Sequence, residues 1–257
     1  MSADDVRERP PIDPAVLEAR RGRPWSLRVV GSHDVTRLMR RVELTGDNLD
    51  ELTPRPGQEI VLQIPQDGTE PARRHYTIRR FDRATKRVDV DFVLHDHATP
   101  GVEWARHAKP GDAIDIRGPR GRIALAPDAA WNLFSGDETA LPAIFALAEA
   151  LPKGAKARIF LEIADEGEKE TLHSPADVEV TWLLRNGAAP GARPLLVDAV
   201  AGFKLPSGKG HAFILGETSS VRARRHDLLG RGMDRSQIYS EGYWRPGRIG
   251  GHDHVED

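Results

Sequence analysis

The chain changes rhythm near residue 125, and that change limits what it can fold into. Before it, the sequence reads as short strand-like runs: 25–30, 35–44, 60–64, 88–95 and 113–119. Pro54, Gly57, Gly68, Gly111 and Gly118 punctuate them. Val88, Val90, Phe92 and Leu94 alternate with Asp89, Asp91 and Val93, which predicts a half-buried strand. Only 101–108 reads as a helix, so this half is expected to be a small antiparallel barrel. Beyond the boundary, strand-like runs (131–135, 157–164, 178–184, 211–217, 238–244) alternate with helix-like ones (136–151, 193–202, 219–229). That alternation predicts a parallel, doubly wound sheet. In the 136–151 helix, Asp137 or Thr139 is the expected cap, and Pro142 belongs in the first turn. The expected fold is two-domain, β + α/β. It divides into a loosely ordered segment (1–23), an antiparallel β-barrel domain (24–125), a parallel α/β domain (126–247) and a flexible tail (248–257).

Bulk properties narrow the function. A formal net charge of -2 argues against a nucleic-acid coat. The chain has no cysteine, which removes disulfides, thiolate catalysis and cysteine-ligated clusters. The longest apolar run, 140–151, contains Pro142 and Glu149 and is too short to span a bilayer. The acidic, Pro-rich start is not a signal peptide, and the expected location is the cytoplasm.

The chemistry concentrates in RHYTIRRFD at 74–82, where arginines crowd a strand-like run around Tyr76 and Thr77. A barrel followed by a nucleotide-binding α/β domain has a two-part logic: one half holds a flavin and the other presents a nicotinamide to it. Tyr76 suits a flat ring system, and the planar guanidinium of Arg74 suits a pyrophosphate. The strand ending at His95 runs through a loop into a helix starting near Gly101, whose unpaired N–H groups offer a phosphate site.

These stretches resemble the siderophore-interacting proteins, the FAD-dependent ferric-siderophore reductases related to ferredoxin–NADP reductase. The likeness is carried by RHYTIRRFD, DFVLH with the downstream EWA, PGD, GDETALPAI, GE followed by VRARR, and GYWRPG, and covers about residues 25–247. It implies an N-terminal FAD-binding barrel and a C-terminal NAD(P)H-binding domain. The implied flavin residues are Arg74, His75, Tyr76 and Thr77, then Phe92, Val93 and His95. A pyrophosphate loop is implied over Thr99, Gly101, Val102 and Trp104. There the chain has T-P-G-V where the family has G-P-A-S, so Val102 lacks the usual hydroxyl. Gly136, Asp137, Glu138, Thr139 and Ala140 match the nicotinamide-nucleotide loop, and Tyr243 and Trp244 the C-terminal strand. The G-x-G-x-x-G of ordinary dinucleotide folds is absent.

The implied activity is hydride transfer from NADPH or NADH to FAD, then single-electron reduction of siderophore-bound Fe(III), with no covalent nucleophile. The partners implied are a ferric siderophore and, as an alternative electron donor, a ferredoxin; a monomer is expected. Arg80 and Arg245 are the candidates for an anionic siderophore, with Arg79 beside Arg80. Glu162, Asp165 and Glu166 follow the second strand of the α/β half and tilt the donor towards NADH, which the family resemblance leaves open. The alternatives are a general NAD(P)H:acceptor oxidoreductase of the same fold and a non-catalytic siderophore-binding protein. Two HDH triplets, at 95–97 and 252–254, have metal-ligand character, but neither is assigned a metal.

Overall fold

The computed structural model describes residues 22–248 and the backbone of residues 253–254. Seven strands make the first sheet: β1 (Pro24–Asp34), β2 (Met39–Thr45), β3 (Glu59–Gln66), β4 (Thr69–Thr77), β5 (Arg80–Asp82), β6 (Arg87–Val93) and β7 (Ala113–Arg120). They pair antiparallel in the order β4-β3-β7-β1-β2-β6-β5. The sheet curls until its two ends meet. Tyr76 on β4 and Phe92 on β6 bring their rings to 4.1 Å between centroids. The two-residue link between β4 and β5 ties the seam: the Ile78 N–H donates to the Gln58 carbonyl (2.8 Å) and the Arg79 N–H to that of Asp89 (2.9 Å). RHYTIRRFD is therefore two strands with a corner between them. Helix α1 (Pro100–His107) covers the barrel end, with Trp104 on Phe92 at 5.6 Å.

Strand β6 departs from expectation. Asp89 and Asp91 are buried like the valines between them, so both faces of the strand are enclosed. Asp91 is tolerated there because Arg41 on β2 grips it through Nε (2.6 Å) and Nη2 (2.7 Å). That pairing drives the Arg41 guanidinium above its ordinary range.

The second sheet follows the predicted grammar. Strands β8 (Trp131–Asp137), β9 (Lys156–Ile163), β10 (Asp177–Leu184), β11 (Gly210–Glu217) and β12 (Ile238–Trp244) run parallel in the order β10-β9-β8-β11-β12. A two-residue β13 (Asp253–His254) adds antiparallel to β12. Strands β8 and β11 are buried at every position, as central parallel strands require. Helix α2 (Leu141–Glu149) packs on one face against Ile159, Leu161, Phe213 and Leu215. Helices α3 (Leu195–Gly202) and α4 (Thr218–Gly230) cover the other against Leu133, Ala212 and Ile214. The chain steps outward from β8 to β10, then crosses to β11. The switch point, where such folds bind ligands at the carboxyl ends, lies between β8 and β11.

Helix α2 starts later than its sequence suggested. Asp137 belongs to β8, and Ala140 stands at the N-cap without a side-chain bond. Asp137 and Thr139 do not cap the helix; they bond each other. Pro142 does fall in the first turn.

A charged seam joins the two sheets. Arg79 is buried and forks onto Glu149 at the end of α2, through Nη1 (2.8 Å) and Nη2 (2.7 Å). It is a strut between the halves and cannot face a visiting anion as the sequence suggested. From the segment after β9, Glu168 accepts from Thr36 Oγ1 (2.5 Å) and the Leu38 N–H (3.1 Å), while Asp165 pairs with Arg37 (2.8 Å). Glu170 lies in the same seam, near Asp91, Arg41, Arg79 and Glu149.

Burial, and then the charge of Asp91, push the Glu170 carboxyl up to about 7 from an ordinary 4.5. A raised carboxyl confers stability that is complete below its unfolded value and is lost as pH rises through 7. Glu170→Gln is neutral at every pH. It should match the wild type in denaturant unfolding near pH 4.5 and exceed it at pH 8 by about 2 kcal/mol. Equal stabilities at pH 8 would refute this account.

Candidate functional site

The first set of predicted residues converges where the barrel closes on α1. Arg74 and Tyr76 share one face of β4, while His75 and Thr77 take the other. Tyr76 packs on Phe92, and Phe92 on Trp104, a tilted stack leading from the sheet to the helix. The Tyr76 hydroxyl reaches α1 at Gly101. A Cβ there would stand 2.1 Å from that oxygen, so glycine lets the ring and the helix backbone meet. Burial pushes the hydroxyl well above its ordinary range and keeps it protonated, a donor. Thr99 is the N-cap of α1 and makes no side-chain cap bond, so its hydroxyl does not consume the N–H groups of the first turn. Gly101 and Val102 lie buried in that turn. Arg74 spends Nη1 on the carbonyl of Arg73 (2.8 Å), a neutral acceptor, and pairs with no carboxylate among the described residues.

Other members of the set stand apart. His75 pairs through Nδ1 with Glu59 (2.8 Å) on the face opposite Tyr76. Val93, half-buried, ends β6 beside Met39. His95 is exposed beyond that strand, its ring 6.0 Å from that of His97. Partial desolvation, and then His97, lower its pKa. Arg80 and Arg245 are exposed. Of the second HDH triplet, His252 lies outside the described residues.

The second set meets at the switch point, around one carboxylate. Asp137 Oδ1 accepts from the Thr139 N–H (2.9 Å) and hydroxyl (2.5 Å); Oδ2 accepts from the Glu217 N–H and from Trp244 Nε1, both at 2.9 Å. Gly216 permits this with a φ of 111°, and a Cβ there would stand 2.5 Å from Oδ2. Gly136 precedes Asp137 at the strand end, and Ala140 leads into α2. Trp244 therefore belongs to this end of the sheet, not merely to its packing. Tyr243 turns inward against the core, and burial raises its hydroxyl well above the ordinary range. The Glu59 charge contributes to that shift and to a similar one at Tyr239, which brings β12 close to the partner of His75 on the barrel.

Beside Asp137 lies a group that the sequence disclosed only in part. Arg185, buried just past β10, forks onto Glu138: Nη1 is 2.8 Å from Oε2, and Nη2 bonds Oε1. Nη1 also lies 3.5 Å from Glu162 at the end of β9. Burial, then Asp137, raise Glu162 to about 7; burial raises Glu138 as well. Arg224 is wholly buried in α4 and donates to Ser135 Oγ (2.7 Å) and the Leu215 carbonyl (2.9 Å). Desolvation lowers it to about 10. Glu217 caps α4, accepting from the N–H groups of Ser219 and Ser220. Buried arginines have no periodic signature. Only their place after strand ends, as at Arg185, marks them.

A curled antiparallel sheet feeding a five-stranded parallel one defines a class: the ferredoxin reductase-like two-domain fold. The ferredoxin–NADP+ reductase of Plasmodium falciparum shares it with a TM-score of 0.69 at 14% identity, over 86% of this chain and 96% of that one. The chain belongs to the siderophore-interacting protein family. Residues 129–247 match the siderophore-interacting protein family, and residues 59–123 its siderophore-interacting FAD-binding domain. The ferric vibriobactin reductase ViuB of Vibrio cholerae is 32% identical over 90% of this chain and 93% of its own. A siderophore utilization protein from T. fusca superposes with a TM-score of 0.82 at 33% identity, covering 88% of this chain and 94% of that one. Among the described residues, no helix is long and apolar enough to cross a membrane.

Asp137→Asn puts an amide N–H₂ against N–H donors that now meet an acceptor. The variant should lose about 2 kcal/mol of stability. Its tryptophan emission should shift to the red as Trp244 is released, which fluorescence and thermal unfolding would read together. An unshifted spectrum would show that Asp137 does not hold the ring.

Proposed function

We propose that this protein is a flavin-dependent ferric-siderophore reductase with a nicotinamide nucleotide as its electron source. The observation that carries this reading is the meeting of Tyr76 with the first turn of α1 at Gly101, beside Arg74. A flat ring system, a helix terminus without a side-chain cap and a guanidinium make a set that fits FAD. FAD, when bound, accepts a hydride from a nicotinamide and returns the electrons singly to an acceptor.

The remaining roles belong to this chain's own residues. Residues 24–125 form the flavin-holding part and 126–247 the nucleotide-holding part. Arg74 and the N–H groups of Gly101 and Val102 bind the pyrophosphate. Because those are backbone donors, a valine at 102 serves where the family has serine. Tyr76 borders the ring system, backed by Phe92 and Trp104; Thr77, on the other face of β4, serves it through the strand backbone, and Val93 and His95 mark its margin at and beyond the end of β6. His75 acts at one remove, orienting β4 through Glu59. Gly136, Asp137, Glu138, Thr139 and Ala140 bind the nucleotide, and Trp244 walls the space between the two ligands, with Tyr243 packed into the core behind it. Arg80 and Arg245, both exposed, draw in the anionic iron complex. Hard oxygen ligands hold Fe(III) better than Fe(II), so each electron delivered loosens the iron from its siderophore.

The purified protein should be yellow, bleach under NADH or NADPH without air, and regain its oxidised spectrum when a ferric catecholate or hydroxamate is added. Arg74→Ala with Tyr76→Ala should lower bound flavin at least tenfold while the fold, read by circular dichroism, persists. Full flavin content in that double variant would mean these residues do not form the cradle. Faster turnover with free flavin than with ferric siderophore would mark a general acceptor reductase instead.

A further inference from the structure

The carboxyl end of the second strand in a doubly wound sheet is where an adenosine ribose is read. A carboxylate there accepts from a 2′-hydroxyl, and an arginine nearby takes a 2′-phosphate. This chain places one of each at that end. Glu162 closes β9, and Arg185 follows β10, the next strand in the sheet. The two are not independent. Arg185 is 6% exposed at its side chain and spends both terminal nitrogens on Glu138, with Glu162 at 3.5 Å.

We infer that the Glu138–Arg185–Glu162 cluster makes this nucleotide site selective for the unphosphorylated ribose, so that NADH is its donor and NADPH is refused. The inference rests on the nucleotide site proposed above and adds the specificity of that site. The Nε–H of Arg185 has no partner but is buried, so a 2′-phosphate could reach the accessible fork of Arg185 only by pulling it off Glu138, which would leave a buried carboxylate without its partner. The phosphate would also bring two more negative charges to a cluster in which the carboxylates of Asp137, Glu138 and Glu162 already outnumber the guanidiniums of Arg185 and Arg224. A diol asks only for an acceptor, and Glu162 supplies it without disturbing the pair. The basic groups next along this edge are committed in the same way: Lys169 to Glu166 (2.6 Å), and Arg37 to Asp165 (2.8 Å) and Glu168 (3.3 Å). Asp165, Glu166 and Glu168 are thus matched to cations before any ligand arrives.

The test uses the full-length, flavin-loaded protein and two fragments that differ only at the 2′ position: adenosine 5′-monophosphate and adenosine 2′,5′-bisphosphate. Calorimetry should show the bisphosphate binding at least tenfold more weakly. In anaerobic flavin reduction, NADH should exceed NADPH at least tenfold in kcat/KM. Glu162→Gln keeps the shape and leaves the Arg185–Glu138 pair in place, so folding is not at stake. It should weaken 5′-monophosphate binding and narrow the gap between the two fragments by several-fold. Equal or tighter binding of the bisphosphate by the wild type would overturn the inference. So would a Glu162→Gln variant that changes both fragments by the same factor, or an absence of binding by either. A protein that separates the two fragments as expected, yet reduces its flavin with neither nucleotide, would uphold the ribose selectivity and defeat the hydride route of the proposed function. The two failures are therefore distinguishable.

Discussion

Everything at the switch point hangs on the Asp137 carboxylate. It is buried, and it collects hydrogen bonds from Thr139, the backbone of Glu217 and the indole of Trp244. Those donors come from the turn after β8, the end of β11 and the end of β12. One side chain therefore fixes the spacing of three strand termini across the crevice where a ligand is received. A buried charge is stable only when its hydrogen-bonding capacity is filled, and here each oxygen receives two donors. Gly216 takes a left-handed backbone conformation because any Cβ would strike this carboxylate. The order of dependence runs from the acid to the glycine, and from both to the position of Trp244.

The seam between the sheets shows the same preference for directed charge over plain burial. Arg79–Glu149 and Arg41–Asp91 are forked pairs, and they stand close enough for Arg79 Nε to approach Asp91 at 3.9 Å. Ion pairs of this kind add little net stability once their desolvation is counted. What they add is orientation, because a forked guanidinium accepts its carboxylate along one direction only. An enclosing apolar contact would let α2 slide over the barrel. The Arg79 fork holds the end of α2 to the corner between β4 and β5, and so fixes how the halves present their ligand sites to each other.

The strands were legible because burial on one face, or on both, leaves a period-two or continuous apolar record in the sequence. The family was legible because short stretches such as GDETALP and GYWR carry several constrained residue types at once. What stayed hidden was pairing. Arg79 and Arg80 read alike as members of one basic run, yet one is a buried strut and the other is exposed. Asp89 and Asp91 read as the solvent face of β6, because nothing local shows that Arg41, fifty residues earlier for Asp91, is waiting for a carboxylate. Asp137 looked like a helix cap, since a cap and a strand-end anchor use the same residue beside the same glycine. Trp244 lay 107 residues from the oxygen that places it. Each miss concerns a side chain whose partner is distant in the chain, the kind of information that periodicity does not carry.

The two proposed ligand sites differ in electrostatic kind, and the difference fits what each would have to do. At the barrel the donors are backbone N–H groups and a guanidinium without a carboxylate partner among the described residues, an arrangement suited to binding an anion tightly because little must be broken first. A resident cofactor calls for that. At the switch point Arg185 is committed to Glu138 and Asp137 to its donors, so an arriving nucleotide gains only what it adds beyond existing bonds. Such a site binds less tightly and lets go more readily, which suits a donor that must leave after each transfer. The contrast between an open cation and a set of committed ion pairs supports the roles proposed for the two halves, one to hold and one to exchange.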